Sequence, residues 1–143
     1  TNAALLHLPR VRRGLELLDA LGGEIWAKLD AGTEAHYRRV ARSRIPWEQI
    51  LQNLYETARH RPIVIQTLLV TIDGRGPDQA EMQAYTERLR SIVSSGGRIE
   101  AVHLHTVARP PAEANVGPLS SDKLHRIAEQ IREETRLPVF VFT

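Results

Sequence analysis

Two apolar rhythms alternate along the chain. Runs with apolar residues at every second or every position predict strands, and longer runs with apolar residues every third or fourth position predict helices. Pro9 suits a first helical position, and Val11, Leu15, Leu18 and Leu21 follow at helical spacing until Gly22-Gly23 ends the run. Residues 24–32 read EIWAKLDAG, which predicts a strand over 24–30. Thr33 is placed to cap a short helix to about residue 41, and Pro46 opens another to about residue 60, with Ile50, Leu51, Leu54 and Ala58 on one face. Residues 62–70, PIVIQTLLV, are almost continuously apolar, as a strand covered on both faces would be. Helix 77–95, strand 98–107, a helix capped by Ser120 or Ser121 and a strand at 138–142 complete the chain. The loop holding Pro110, Pro111 and Pro118 is expected to be irregular. Helices alternating with strands in this order predict an α/β fold: a parallel-sheet half-barrel of about four strands with flanking helices, in one domain spanning 1–143.

The polar residues inside the strands change the picture. Side chains of a strand alternate between faces, so Trp26, Lys28 and Asp30 share one face, with Ile25, Ala27 and Leu29 on the other. By the same rule Val64, Gln66 and Leu68 share a face, and so do His103 and His105. If these faces all point to the concave side, then Lys28, Asp30, Gln66, His103 and His105 line one surface. An unpaired buried polar group costs ~1–3 kcal/mol, so such a surface suggests a bound polar ligand. The alternatives are an internally satisfied network and, for Lys28 and Asp30, an ion pair closing one layer of a barrel. In parallel α/β folds ligands sit at the carboxyl ends of strands, where Asp30 lies. His103 and His105 also have the spacing of two metal ligands on one strand, which leaves a metal-dependent hydrolase open.

Composition narrows the chemistry further. The 143 residues include no cysteine, which removes disulfides, thiolate metal sites and cysteine nucleophiles from this chain. Formal charge is only +2, so the pI of 9.4 reflects arginine among the bases and not a large excess of charge. Arg10, Arg12 and Arg13 cluster, as do Arg38, Arg39, Arg42 and Arg44. They are either solvated helix faces or an RNA-binding surface. No apolar run reaches the ~20 residues of a membrane helix, no signal peptide is visible, and the cytoplasm is the expected compartment. Glu81, Glu87 and Glu100 fall at solvent-facing positions in this register, which argues against a paired-carboxylate hydrolase. Bare strand edges are expected to favour a homo-oligomer.

Four stretches together carry a resemblance. Thr1-Asn2-Ala3 followed by two leucines, then KLDAGTEAHYRRV, PIVIQTLLVTIDGRGP and VHLHTVARPPAEANVGPLS, resemble the carboxyl-terminal part of a radical S-adenosylmethionine (radical SAM) enzyme, in the branch similar to tRNA wyosine-base synthases. The resemblance implies a partial (β/α)6 barrel whose earlier strands carry a CxxxCxxC loop for a [4Fe–4S] cluster. It implies that Thr1 and Asn2 end a third strand, with Ala3 replacing a glycine. It further implies that Asn2, Lys28, Asp30, Gln66, His105, Thr106 and Val107 border S-adenosylmethionine, and that Arg109 and the prolines shape the rim. Without the cluster cysteines, this chain alone is expected neither to cleave nor to hold the cofactor well, and tRNA is a possible substrate. The chain is expected to be a fragment whose cluster-binding half lies upstream.

Overall fold

The computed structural model describes all residues from Thr1 to Thr143. Helix α1 is Pro9–Ala20, strand β1 Trp26–Lys28, α2 Glu34–Ala41, α3 Trp47–His60, β2 Ile63–Leu68, β3 Val70–Ile72, α4 Gln79–Ser94, β4 Ile99–His105, β5 Val116–Pro118, α5 Ser121–Thr135 and β6 Val139–Phe142. Strands β1, β2, β4 and β6 form a four-stranded sheet in that order. All three pairings are parallel. The protein is therefore an α/β half-barrel with flanking helices, as the alternation of elements predicts.

One face of the sheet is a core. Ile25, Ala27 and Leu29 meet Ile63 and Ile65, Val102 and Leu104, and Val139, all within a cluster of 28 buried residues. Ile50, Leu54 and Ala58 of α3, Tyr85, Leu89 and Ile92 of α4, and Leu124, Ile127 and Ile131 of α5 belong to the same cluster. The one polar group on this face, Thr67, is satisfied by the buried hydroxyl of Tyr85 at 2.7 Å. Burial pushes the Tyr85 phenol pKa above its ordinary value, and its hydrogen bond to Thr67 opposes that rise.

The helix boundaries follow local chemistry. The Thr33 hydroxyl accepts from the His36 amide, the Asp78 carboxylate from Glu81 and the Ser120 hydroxyl from Lys123, so α2, α4 and α5 each start on a side-chain cap. Between Ile63 and Val64 the register of β2 on β4 shifts by one residue. That bulge lets Ile99 join the core while His103 and His105 face the other way.

Three expectations are corrected. The run 62–70 is two strands, because β3 leaves the sheet and pairs antiparallel with β5. The proline-rich loop is accordingly not irregular throughout. Val116–Pro118 pairs with Val70–Ile72, and Pro118 sits at the end of a two-stranded ribbon where a missing N–H is tolerated. Glu81 does not face solvent, being only 7% exposed.

Candidate functional site at the carboxyl ends of the strands

The turn after β1 is fixed by Glu81. Its carboxylate accepts from the amides of Gly32 and Thr33 and from the Thr33 hydroxyl at 2.6 Å. A negative charge is thereby held at the amino end of α2, where the helix dipole favours it. Gly32 passes so close to α4 that an added Cβ would lie 2.0 Å from the Tyr85 amide nitrogen. The Asp-Ala-Gly turn is thus clamped between β1 and α4, and it aims Asp30 inward.

Asp30 bridges two strand ends. One oxygen accepts from the Leu68 amide at 2.8 Å and the other meets the Lys28 ammonium at 3.1 Å. The ion pair considered for these residues therefore forms. Its Lys28 side chain remains 38% exposed, so the pair faces an opening and is not sealed inside a layer.

That opening is a cavity of about 460 Å³, within the usual ~300–1,000 Å³ of small-molecule sites. Asn2, Lys28, Asp30 and Val107 line it, together with Arg39, Arg42, Glu113 and the apolar walls Tyr37, Trp47, Leu68, Val70 and Val116. Glu113 reaches Arg42 Nη1 at 2.8 Å and so ties the proline-rich loop across the mouth. Nothing in the sequence pattern singles out Glu113, which lies 71 residues from its partner.

The other expected positions divide. Gln66, His103 and His105 share the face of Lys28 and Asp30, since Lys28 pairs with Gln66, Gln66 with His103 and Leu68 with His105. They stand beside the cavity and do not line it. Thr106 turns away, and its hydroxyl accepts from the Leu119 amide at 2.8 Å, fastening the segment before α5. Asn2 accepts from the Ala4 amide at 3.2 Å. Thr1 donates to the Trp26 carbonyl and accepts from the Lys28 amide, a parallel pairing along the outer edge of β1. Ala3 is left-handed at φ 62°, where glycine is at ease and alanine is not. Asn53 holds this bend by donating to the Ala3 and Ala4 carbonyls.

The open face of the sheet carries rings. His103 is met edge-on by Trp26 at 4.7 Å and by Phe140 at 5.6 Å, while Phe142 lies tilted at 5.1 Å. His105 stacks flat on Phe142 at 4.7 Å. Partial burial lowers the His105 pKa below 6.5, and the neighbouring His103 and Lys28 charges lower it further. No third ligating side chain joins the two histidines, whose rings lie 6.4 Å apart. Several arginines of the two basic clusters are engaged by carboxylates: Arg12 by Glu56, Arg38 by Glu34, Arg39 by Asp73 and Arg42 by Glu113. No helix is long and apolar enough to cross a membrane.

Neither a protein-family model nor a curated protein sequence matches the chain. Among solved structures, a radical SAM methyltransferase from Sphaerobacter thermophilus shares its fold, with a TM-score of 0.59 and 19% identity over 90% of this chain. The chain spans 37% of that protein's length.

Proposed function

We propose that the chain is the later half of a radical SAM barrel, and that the cavity at its strand ends takes S-adenosylmethionine. The observation that carries this reading is the convergence of Asn2, Lys28 and Asp30, from neighbouring strand ends, on one cavity. The side chains suit such a ligand. Lys28, Arg39 and Arg42 can meet a carboxylate, Asp30 and Glu113 an ammonium or ribose hydroxyls, and Leu68, Val70 and Val107 the adenosine body. A chain without cysteine has no thiolates for a [4Fe–4S] cluster, so the cluster is supplied from outside these 143 residues. With that cluster as the one-electron donor, the cofactor would be cleaved to methionine and a 5′-deoxyadenosyl radical. The residues here bind and orient the cofactor and shield it from water. The likeness of the four sequence stretches to the wyosine-base branch supports tRNA as the substrate.

Two measurements test the reading. The coding sequence ahead of Thr1 should contain a CxxxCxxC motif, and its absence would end the radical-enzyme reading. In the product that carries it, S-adenosylhomocysteine affinity measured by calorimetry should fall at least about tenfold, or ~1.4 kcal/mol, in Asp30→Asn. Unchanged affinity in a folded variant would move the cofactor away from this cavity.

A second reading is a half-barrel that closes against its own copy. The outer edge of β6 favours it, since that strand pairs only with β4. A single monomeric species in sedimentation at high concentration would remove it.

A further inference from the structure

The ring-bearing face beside the cavity lies outside the hydrophobic core. All three of the chain's exposed large aromatic side chains lie there: Trp26 is 40% exposed, Phe140 52% and Phe142 43%. Both phenylalanines of the chain are among them. These rings stand on two strands, β1 and β6, and none belongs to the 28-residue core on the opposite face. Val64 and Ala101 are buried on this side yet lie outside that core. They pair with each other, and Val64 pairs with Trp26. Two short side chains therefore form a low floor beside Trp26, with His103 and Phe140 rising in the next row.

Three features define what such a slot would accept. Its walls are rings, whose faces and edges attract other rings in stacked or edge-to-face arrangements. Of its formal charges, Lys28 and Asp30 neutralise one another at 3.1 Å and the Glu24 carboxylate is engaged by the Trp26 indole, so the slot offers no free charge to an ion. A second sheet would pack best on interdigitating aliphatic side chains, and this face presents few, Val64, Leu68 and the short Ala101. Two further atoms point the same way. His103 Nδ1 and His105 Nε2 are shielded by their neighbours and have no hydrogen-bond partner. Phenylalanine in their place would avoid that cost, so packing alone does not account for imidazole here.

We infer that the face formed by Trp26, His103, His105, Phe140 and Phe142 binds an uncharged planar aromatic ring. This inference rests on the reading of the open face as a barrel interior, and it names the substrate class that interior takes. The ring would lie over Val64 and Ala101, against the indole of Trp26. That indole is itself held by a 2.9 Å hydrogen bond to Glu24. The opening toward the cavity would place the substrate beside the cofactor.

The molecule carries its own reporter. Trp26 is exposed on this face, whereas Trp47 is buried at 4% and provides a constant background. Quinoline, neutral at pH 7.5, should shift Trp26 fluorescence and the Trp26 indole N–H resonance in a saturable titration. Cyclohexylmethanol, apolar but not aromatic, and naphthalene-2-sulfonate, aromatic but charged, should each bind at least about fivefold more weakly. Phe142→Leu keeps most of the apolar area and removes the ring, and it should weaken quinoline at least about fivefold. The same variant should leave S-adenosylhomocysteine affinity unchanged, whereas Asp30→Asn should do the reverse, so the two sites fail separately. Equal binding of quinoline and cyclohexylmethanol would overturn the inference, as would quinoline affinity indifferent to Phe142→Leu. Concentration-dependent dimerisation abolished by Phe140→Ala and unaffected by quinoline would overturn it as well, by assigning the face to a second copy.

Discussion

The two faces of the same four strands have been built for different purposes. On the helix side, Ile63, Ile65, Val102 and Leu104 are completely buried, and the single polar side chain, Thr67, has its partner. On the other side, the same strands present Lys28, Gln66, His103, His105, Phe140 and Phe142, half-buried or exposed, with two imidazole nitrogens unpaired. Strand alternation places the two sets one residue apart, so each strand serves both faces at once. Stability therefore concentrates on one side, and chemistry is free to vary on the other.

The comparison breaks most severely at Gly32. An alanine Cβ there would fall against the α4 backbone, which no side-chain rotation can relieve. Gly32→Ala should cost more than about 4 kcal/mol in urea denaturation, or prevent folding. Wild-type-like stability would show that the β1 turn and α4 are not clamped. The two faces are then compared directly through Leu104 and Phe140, which belong to paired strands and lie on opposite sides. Leu104→Ala should cost roughly 2–5 kcal/mol, because it opens a cavity in the core. Phe140→Ala should cost about 1 kcal/mol or less, because half of the ring is already in water. Equal losses would mean that the open face also carries the fold.

Much of this contrast was legible in the sequence. Period-two alternation in EIWAKLDAG and the HLH of β4 was sufficient to pair Lys28 with Asp30 and His103 with His105, and the strand registers then bring the two pairs to one face. The cap at Thr33 was equally readable, and that of the last helix was narrowed to Ser120 or Ser121, of which Ser120 is the cap, since such chemistry is local. What stayed hidden depends on distant partners. Glu81 sits in the first turn of α4, where a solvated glutamate is ordinary. Only the approach of Gly32 turns it into a buried anchor. Glu113 and Arg42 meet across 71 residues with no periodic signal. Pro118 disguised β5, because a proline argues against a strand until its position at a ribbon end is known. Thr106 kept its place in the sequence of the site but turned its hydroxyl to Leu119, a choice made by the path of the chain into α5.

The smallest expected effect is a pH dependence that comes from the open face alone. Partial burial, then the nearby His103 and Lys28 charges, hold the folded His105 pKa below 6.5. Asp30, paired with Lys28, is the only carboxylate in that group, and its charge is directed at the lysine. The unfolded chain binds its proton near pH 6.5, before the folded chain does. As pH falls through 6.5 toward the folded value, the unfolded state gains protons first and the fold loses stability; above 6.5 the contribution is fully present. The urea midpoint should therefore drop between pH 7.5 and pH 5.5. His105→Gln should show a smaller drop over the same interval. An identical drop in both proteins would place the titration elsewhere. It would also show that the rings around His105 admit water freely enough for its imidazole to behave as it does in the unfolded chain.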